Sequence, residues 1–393
     1  MLAKAEALKD EIIRLRRDIH AHPELSFQEF RTAQLVADTL AEIGYKEIKT
    51  EVGRTGVIAE IGTDDGPVIG IRADMDALPI PEAVDVPFKS TNAGVMHACG
   101  HDSHTAMLLG AAHLLYQDFA QNKDSWKGKI RLLFQPSEEA FDEQGISGAT
   151  AMITDGALDG IDNVIALHII SNLEAGKVYF CDGHSMAAVD SFEAWVRGDG
   201  GHGAYPHEGS DPLFMLSSIL PQIYGIPSRR ISPLEQCVVS LGQISGGAAP
   251  NVIPGEVYIQ GTIRSFKEEV REKIWAELEQ AFKAAESMGG SYTLKIHKGY
   301  PAVWNNDEVN NWMRQVAADL AGEEAIVNQP FGMGAEDFAY MTQAAPGAMF
   351  MLGGSNGGGN HHTAVFDIEE DVFPLGSAML AETARRYVTG QLK

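Results

Sequence analysis

At 393 residues the chain exceeds the size at which one hydrophobic core usually stops growing, and a hydrophobic content of 45% supplies material for two. A formal charge of −24 repels phosphate backbones and anionic bilayers, which argues against nucleic-acid and membrane partners and obliges an anionic substrate to find a local cation. Cys99, Cys181 and Cys237 are odd in number and scattered, so a reducing cytoplasm is expected rather than a disulfide framework.

The opening stretch, MLAKAEALKDEIIRLRRDIH, is charged at helical spacing and lacks the apolar centre of a secretory signal; it predicts an amphipathic helix to about Ile19. Ser26 with Glu29 three residues later has capping-box spacing and predicts a second helix, stopped near Gly44. Strands are expected at 56–61 and 68–73, the second apolar enough to be covered on both faces. After a long loop carrying Pro79, Pro81 and Pro87 come a helix at 102–119, a strand at 130–134, a helix at 148–155 and a strand at 164–167. That alternation is the grammar of a layered α/β sheet.

From about Val189 the pattern becomes strand 191–197, helix 211–224, strands 236–243 and 255–264, helix 267–288 and strand 292–297, with Pro221 inside the first helix. This β-α-β-β-α-β order predicts a ferredoxin-like domain at 189–298, inserted in a larger, discontinuous α/β domain at 1–188 and 299–393. Helices at 307–321 and 335–343, a strand at 348–352 and a closing helix from Glu370 complete the larger domain.

Open α/β sheets carry functional groups beyond the carboxyl ends of their strands. Asp74 and Asp76 follow the strand ending at Ala73, Glu138 and Glu139 follow Phe134, His168 ends the strand from Val164, and His362 follows Leu352; Cys99 and His101 lie just before a helix. Singly, each has a structural explanation. Together, one thiolate, three imidazoles and a carboxylate suit two divalent ions, with Zn, Mn, Co or Ni all compatible. A shared donor would bring such ions to about 3.5–4 Å. Adjacent glutamates can divide the remaining work, one ligating and the other taking a proton from water.

The strings RADMDALP (72–79), MHACGHDSHTAMLLGAA (96–112), FQPSEE (134–139), GGHGAYPH (200–207), PNVIPGEVYIQGTIRSF (250–266), GAEDFAY (334–340) and HHTAVFD (361–367) resemble those of the M20 metallopeptidase family, in its amidohydrolase branch. The resemblance covers nearly the whole chain in order. It implies that Cys99 bridges two metal ions, His101 and His168 complete one site, and Glu139 and His362 complete the other. It further implies that Glu138 is the general base, that His202 stabilises the oxyanion from its own chain or a dimer partner, and that Asn251 and Arg264 hold a substrate carboxylate. Asp74 is expected to orient a ligating histidine through its other ring nitrogen. IISNLEAG after His168 and AFDEQGISGA after the glutamates depart from the family pattern and bear on the acyl-group preference.

The implied activity is amide hydrolysis of an N-acyl amino acid or short peptide by a homodimer or higher homo-oligomer. Its rivals are a dipeptidase or carboxypeptidase using the same two-metal site, a metal-binding protein without catalysis, and a thiol hydrolase using Cys99 with His101. His20, His22, His104, His113, His184, His297 and His361 are read as structural.

Overall fold

The computed structural model describes residues 1–392. The chain forms two compact units, one of Met1–Ser185, Trp304–Pro330 and the segment from Asp337 onward, the other of Met186–Val303 and Phe331–Glu336.

The larger unit is built on an eight-stranded mixed sheet in the order 48–52, 56–62, 129–135, 68–74, 163–174, 347–355, 178–180 and 326–328. Its central strands run parallel: Val68–Asp74 pairs with Lys129–Gln135 on one side and Asn163–Glu174 on the other, which in turn pairs with Gly347–Ser355. Val68–Asp74 is buried along nearly its whole length, as expected of a strand covered on both faces. The helix His101–Asn122 is buried almost all round rather than along one stripe, and it packs against Lys9–Ala21 and Phe373–Val388 in one continuous core.

Two sequence expectations shift for identifiable reasons. The helix expected from Ser26 starts at Phe30, because Phe27 adopts a left-handed backbone (φ 58°) that breaks the turn. The Glu24 carboxylate caps the helix instead, accepting from the backbone N–H groups of Arg31 (2.9 Å) and Thr32 (2.8 Å). The strand expected at 164–167 runs from Asn163 to Glu174, since IISNLEAG continues its pairing rather than turning away.

The smaller unit is a four-stranded antiparallel sheet in the order 237–246, 256–265, 188–197 and 291–298. The helices Pro212–Gly225 and Glu268–Phe282 fall between its strands in β-α-β-β-α-β sequence, which with this strand order is the ferredoxin-like arrangement. Ala188–Arg197 alternates buried and half-buried residues along its length, the mark of a sheet with one face packed and one open. The buried face meets Met215, Ile219, Ile223, Ile274 and Leu278 of the two helices. Pro221 lies inside the first helix, which runs on to Gly225 regardless.

Candidate metal centre

The centre of the larger unit assembles where the helix His101–Asn122 begins. Gly100 caps it in a left-handed conformation (φ 93°), and a Cβ there would come within 2.7 Å of Ile169 Cγ2. The missing side chain lets Cys99 and His101 approach the strand that carries His168. Cys99 Sγ lies 3.5 Å from His168 Nε2 and 3.4 Å from His362 Nε2, and His362 Nε2 lies 3.2 Å from Glu139 Oε1. The donor atoms of Cys99, His101 and His168 all fall within 4.8 Å of one another, as do those of Cys99, Glu139 and His362.

The rings are held so that one nitrogen is free for a ligand. His168 donates from Nδ1 to the Ile169 carbonyl at 2.7 Å, which turns a bare Nε2 toward Cys99. His101 Nδ1 is engaged by the backbone oxygen of Asp76 at 2.9 Å and by its carboxylate at 3.1 Å. Asp76 therefore does the orienting expected of Asp74. Asp74 instead receives Arg72 Nη1 (2.9 Å) and His104 Nδ1 (2.6 Å), and lies 3.6 Å from His101 on the Nε2 side of the ring. His104 is fully engaged, since its Nε2 accepts from Ile169 N–H at 2.9 Å. His361 packs its ring 5.5 Å from that of His168, and its Nε2 accepts from Ser171 N–H at 3.0 Å.

Divalent cations fit this arrangement. His101 Nε2 is buried without a hydrogen-bond partner among the described residues, and Glu139 Oε1 is buried with His362 Nε2 at 3.2 Å beside it. Burial opposes a charge on His101, yet Asp74 and then Asp76 outweigh it and lift the ring to about 10, so the pocket attracts positive charge. Burial, followed by Glu139, Glu138 and Asp74, pushes the Cys99 thiol well above its usual range, the reverse of an activated free nucleophile. Thiolate, imidazole and carboxylate donors suit borderline-soft transition ions.

Glu138 is 6% exposed, and its Oε1 lies 3.4 Å from the backbone N–H of Asp337. Asp337 is fixed in turn by Arg72 (3.1 Å), Gln135 (2.8 Å) and the backbone N–H of Ala149 (2.9 Å). Arg72 thus joins Asp74 on the metal side to Asp337 beside Glu138. Neither Arg72 nor Asp337 stands out in the sequence reading, although Arg72 lies in an otherwise apolar strand, where a buried charge demands partners.

In the smaller unit, Gly201–His202 pairs antiparallel with Val252–Ile253, bringing His202 and Asn251 together at an exposed edge. Gly203 N–H donates to Asn251 O at 2.8 Å, and a Cβ at Gly203 would crowd the Asn251 backbone at 3.1 Å. His202 Nδ1 accepts from Ala204 N–H at 3.1 Å. Arg264 lies on the strand Glu256–Ser265, where burial pulls its guanidinium down and Nη1 donates to Ile263 O at 3.0 Å.

A mixed sheet with soft and hard donors converging near its strand ends and the start of a helix, beside the buried carboxylate of Glu138, suits a metal-dependent hydrolase. The chain belongs to peptidase family M20/M25/M40, whose pattern matches residues 70–386. It is 42% identical over 386 residues to an N-acetyl-L-cysteine deacetylase of Bacillus subtilis, covering 97% of this chain and 89% of that one. It is 40% identical over 388 residues to thermostable carboxypeptidase 1 of Saccharolobus solfataricus, covering 97% and 96%. Among solved structures, the Bacillus subtilis YXEP protein, a dinuclear metal binding peptidase of the M20 family, superposes with a TM-score of 0.83 at 33% identity over 98% of this chain and 99% of that one.

Proposed function

We propose that the enzyme hydrolyses the amide bond of N-acyl amino acids, releasing a carboxylic acid and a free amino acid. The observation that carries this reading is the meeting of Cys99, His101, His168, Glu139 and His362 around a common space with the carboxylate of Glu138 buried beside them. In this reading Cys99, His101 and His168 would hold one divalent ion, and Cys99, Glu139 and His362 a second. When bound, such ions polarise a scissile carbonyl and acidify water near neutral pH. Glu138 takes the proton of the attacking water and delivers it to the leaving amine. His202 donates to the developing oxyanion. Arg264 binds the substrate carboxylate, supplying the cation an acidic chain needs, with Asn251 beside it.

The same reading makes the enzyme a cytoplasmic homodimer using Zn, Mn, Co or Ni. The dimer is supported by the smaller unit, whose edge strand Cys237–Gly246 is exposed over much of its length and whose helix Pro212–Gly225 leaves Phe214 65% and Tyr224 58% exposed. Sedimentation at micromolar concentration reads it directly. Mixed dimers of Glu138→Ala and His202→Ala chains regain turnover if His202 acts across the interface, and stay inactive if it acts within one chain.

The reaction is tested by amine release from N-acetyl, N-benzoyl and indole-acyl amino acids and from free dipeptides, with added Mn or Zn and again after chelation. Chelator-sensitive release from the N-acyl compounds is expected. Release from dipeptides alone would instead favour an exopeptidase, the activity in the name of the Saccharolobus relative; metal-loaded protein silent on the whole panel would sink both.

A further inference from the structure

Glu29 is fully buried one residue ahead of the helix Phe30–Ile43, yet it makes no side-chain cap there. Its Oε1 accepts two backbone N–H groups, from Phe27 at 2.9 Å and from Ser137 at 2.8 Å, while its Oε2 accepts from Thr55 Oγ1 at 2.5 Å. Both backbone donors are non-glycine residues in the left-handed region, Phe27 at φ 58° and Ser137 at φ 45°. Such conformations persist only where surrounding contacts impose them. Ser137 immediately precedes Glu138, and the turn it makes sends the chain out of the strand Lys129–Gln135 toward the donor cluster. The neighbouring Ser26 donates to Asp76 Oδ2 at 2.6 Å, the same oxygen that accepts Glu139 N–H at 3.0 Å. One short segment, 26–29, therefore holds the two glutamates from both sides.

We propose that Glu29 is a positioning residue for hydrolysis: by accepting Ser137 N–H it holds the left-handed turn that aims Glu138 and Glu139 in different directions, one as base and one as ligand. The inference rests on the reading of Glu138 as the base. Glu29 touches no substrate and acts only through the turn.

The test uses the full-length, metal-loaded enzyme and reads kcat, KM, bound metal and thermal midpoint together. Glu29→Ala is expected to lower kcat about 10- to 100-fold, the scale of an ångström-sized misplacement, with KM and metal content within about twofold. Glu29→Gln keeps a carbonyl acceptor for both N–H groups and an amide toward Thr55, so its kcat stays within about threefold of wild type. Because glycine adopts φ 45° without strain, adding Ser137→Gly to Glu29→Ala recovers about fivefold or more. A folded, metal-loaded Glu29→Ala enzyme with wild-type kcat overturns the proposal, and so does a double variant with no recovery. If Glu29→Ala fails to fold, Ser137→Val decides, since a β-branched residue resists this backbone; unchanged kcat in that variant overturns the proposal too. Glu138→Ala measured alongside separates the two readings. Turnover in Glu138→Ala would refute the base assignment, whereas its silence beside an unaffected Glu29→Ala would refute the positioning role alone.

Discussion

Arg72→Met probes the buried network that joins the two halves of the centre. Arg72 is 1% exposed and donates to Gln135 (2.9 Å), Asp74 (2.9 Å) and Asp337 (3.1 Å). Methionine keeps much of the apolar stem and removes these bonds, leaving the Asp74 and Asp337 carboxylates buried without their shared guanidinium. Hydrogen bonds to charged groups contribute about 1.5–3 kcal/mol each, but the Arg72 guanidinium also loses its own hydration on burial, so the sum overstates the cost. Removing one partner of a buried pair costs about 3–5 kcal/mol, and about 4 kcal/mol is the expectation here. Urea unfolding of metal-stripped wild type and variant, followed by intrinsic fluorescence, gives the difference. Asp337→Asn in the Arg72→Met background should cost less than in wild type by about 1–3 kcal/mol, because the two mutations then remove one interaction between them. A loss under about 1 kcal/mol, or an additive cycle, would refute the view of Arg72 as the charged centre of this network.

Glu138→Gln should keep its metals while kcat drops about 10²- to 10⁴-fold, the usual range for a general base; normal turnover in a metal-loaded variant would end that assignment. Asp76→Ala takes the carboxylate away from His101 Nδ1 and from Glu139 N–H while leaving the backbone oxygen on the ring; it should weaken metal affinity about 10-fold, and an unchanged dissociation constant in competition with a chromogenic chelator would count against it. Glu29 is pushed up to about 7 by burial and by Asp76, from an ordinary value of 4.5. A carboxyl that binds its proton more tightly when folded makes a contribution that is full below about pH 4.5 and lost as pH rises through about 7. The metal-free wild type should therefore lose about 3 kcal/mol relative to Glu29→Gln between pH 4.5 and pH 7.5. A stability difference between the two that is flat across that window would show that Glu29 does not titrate there.

Much of the donor cluster was legible because Cys99, His101 and Glu139 fall near a strand end or a helix start, where chain geometry tends to place functional groups, whereas His168 sits inside a strand that runs on to Glu174. The supporting contacts were not legible. Ser26 and Glu29 have the spacing of a helix cap, and only the left-handed Phe27 between them turns both side chains inward to Asp76 and Ser137. Asp74 ends its strand and Asp76 lies two residues on, and which of them meets His101 Nδ1 depends on where the helix begins, a tertiary relation that local pattern does not carry. The strands Ile48–Val52, Val178–Phe180 and Ile326–Asn328 are short edge or bridging pieces whose hydrophobic pattern is too brief to register as a period.

Gly100 sets a dimension as well as a bend. With a Cβ excluded by Ile169, the spacing between the donors ahead of the helix and the donor on the strand is fixed by contact between a backbone and a single branched side chain. A side chain at position 100 would have to push the backbone that carries Cys99 and His101 away from the strand that carries His168, so the shape of the donor cluster depends on two residues that offer no donor atom.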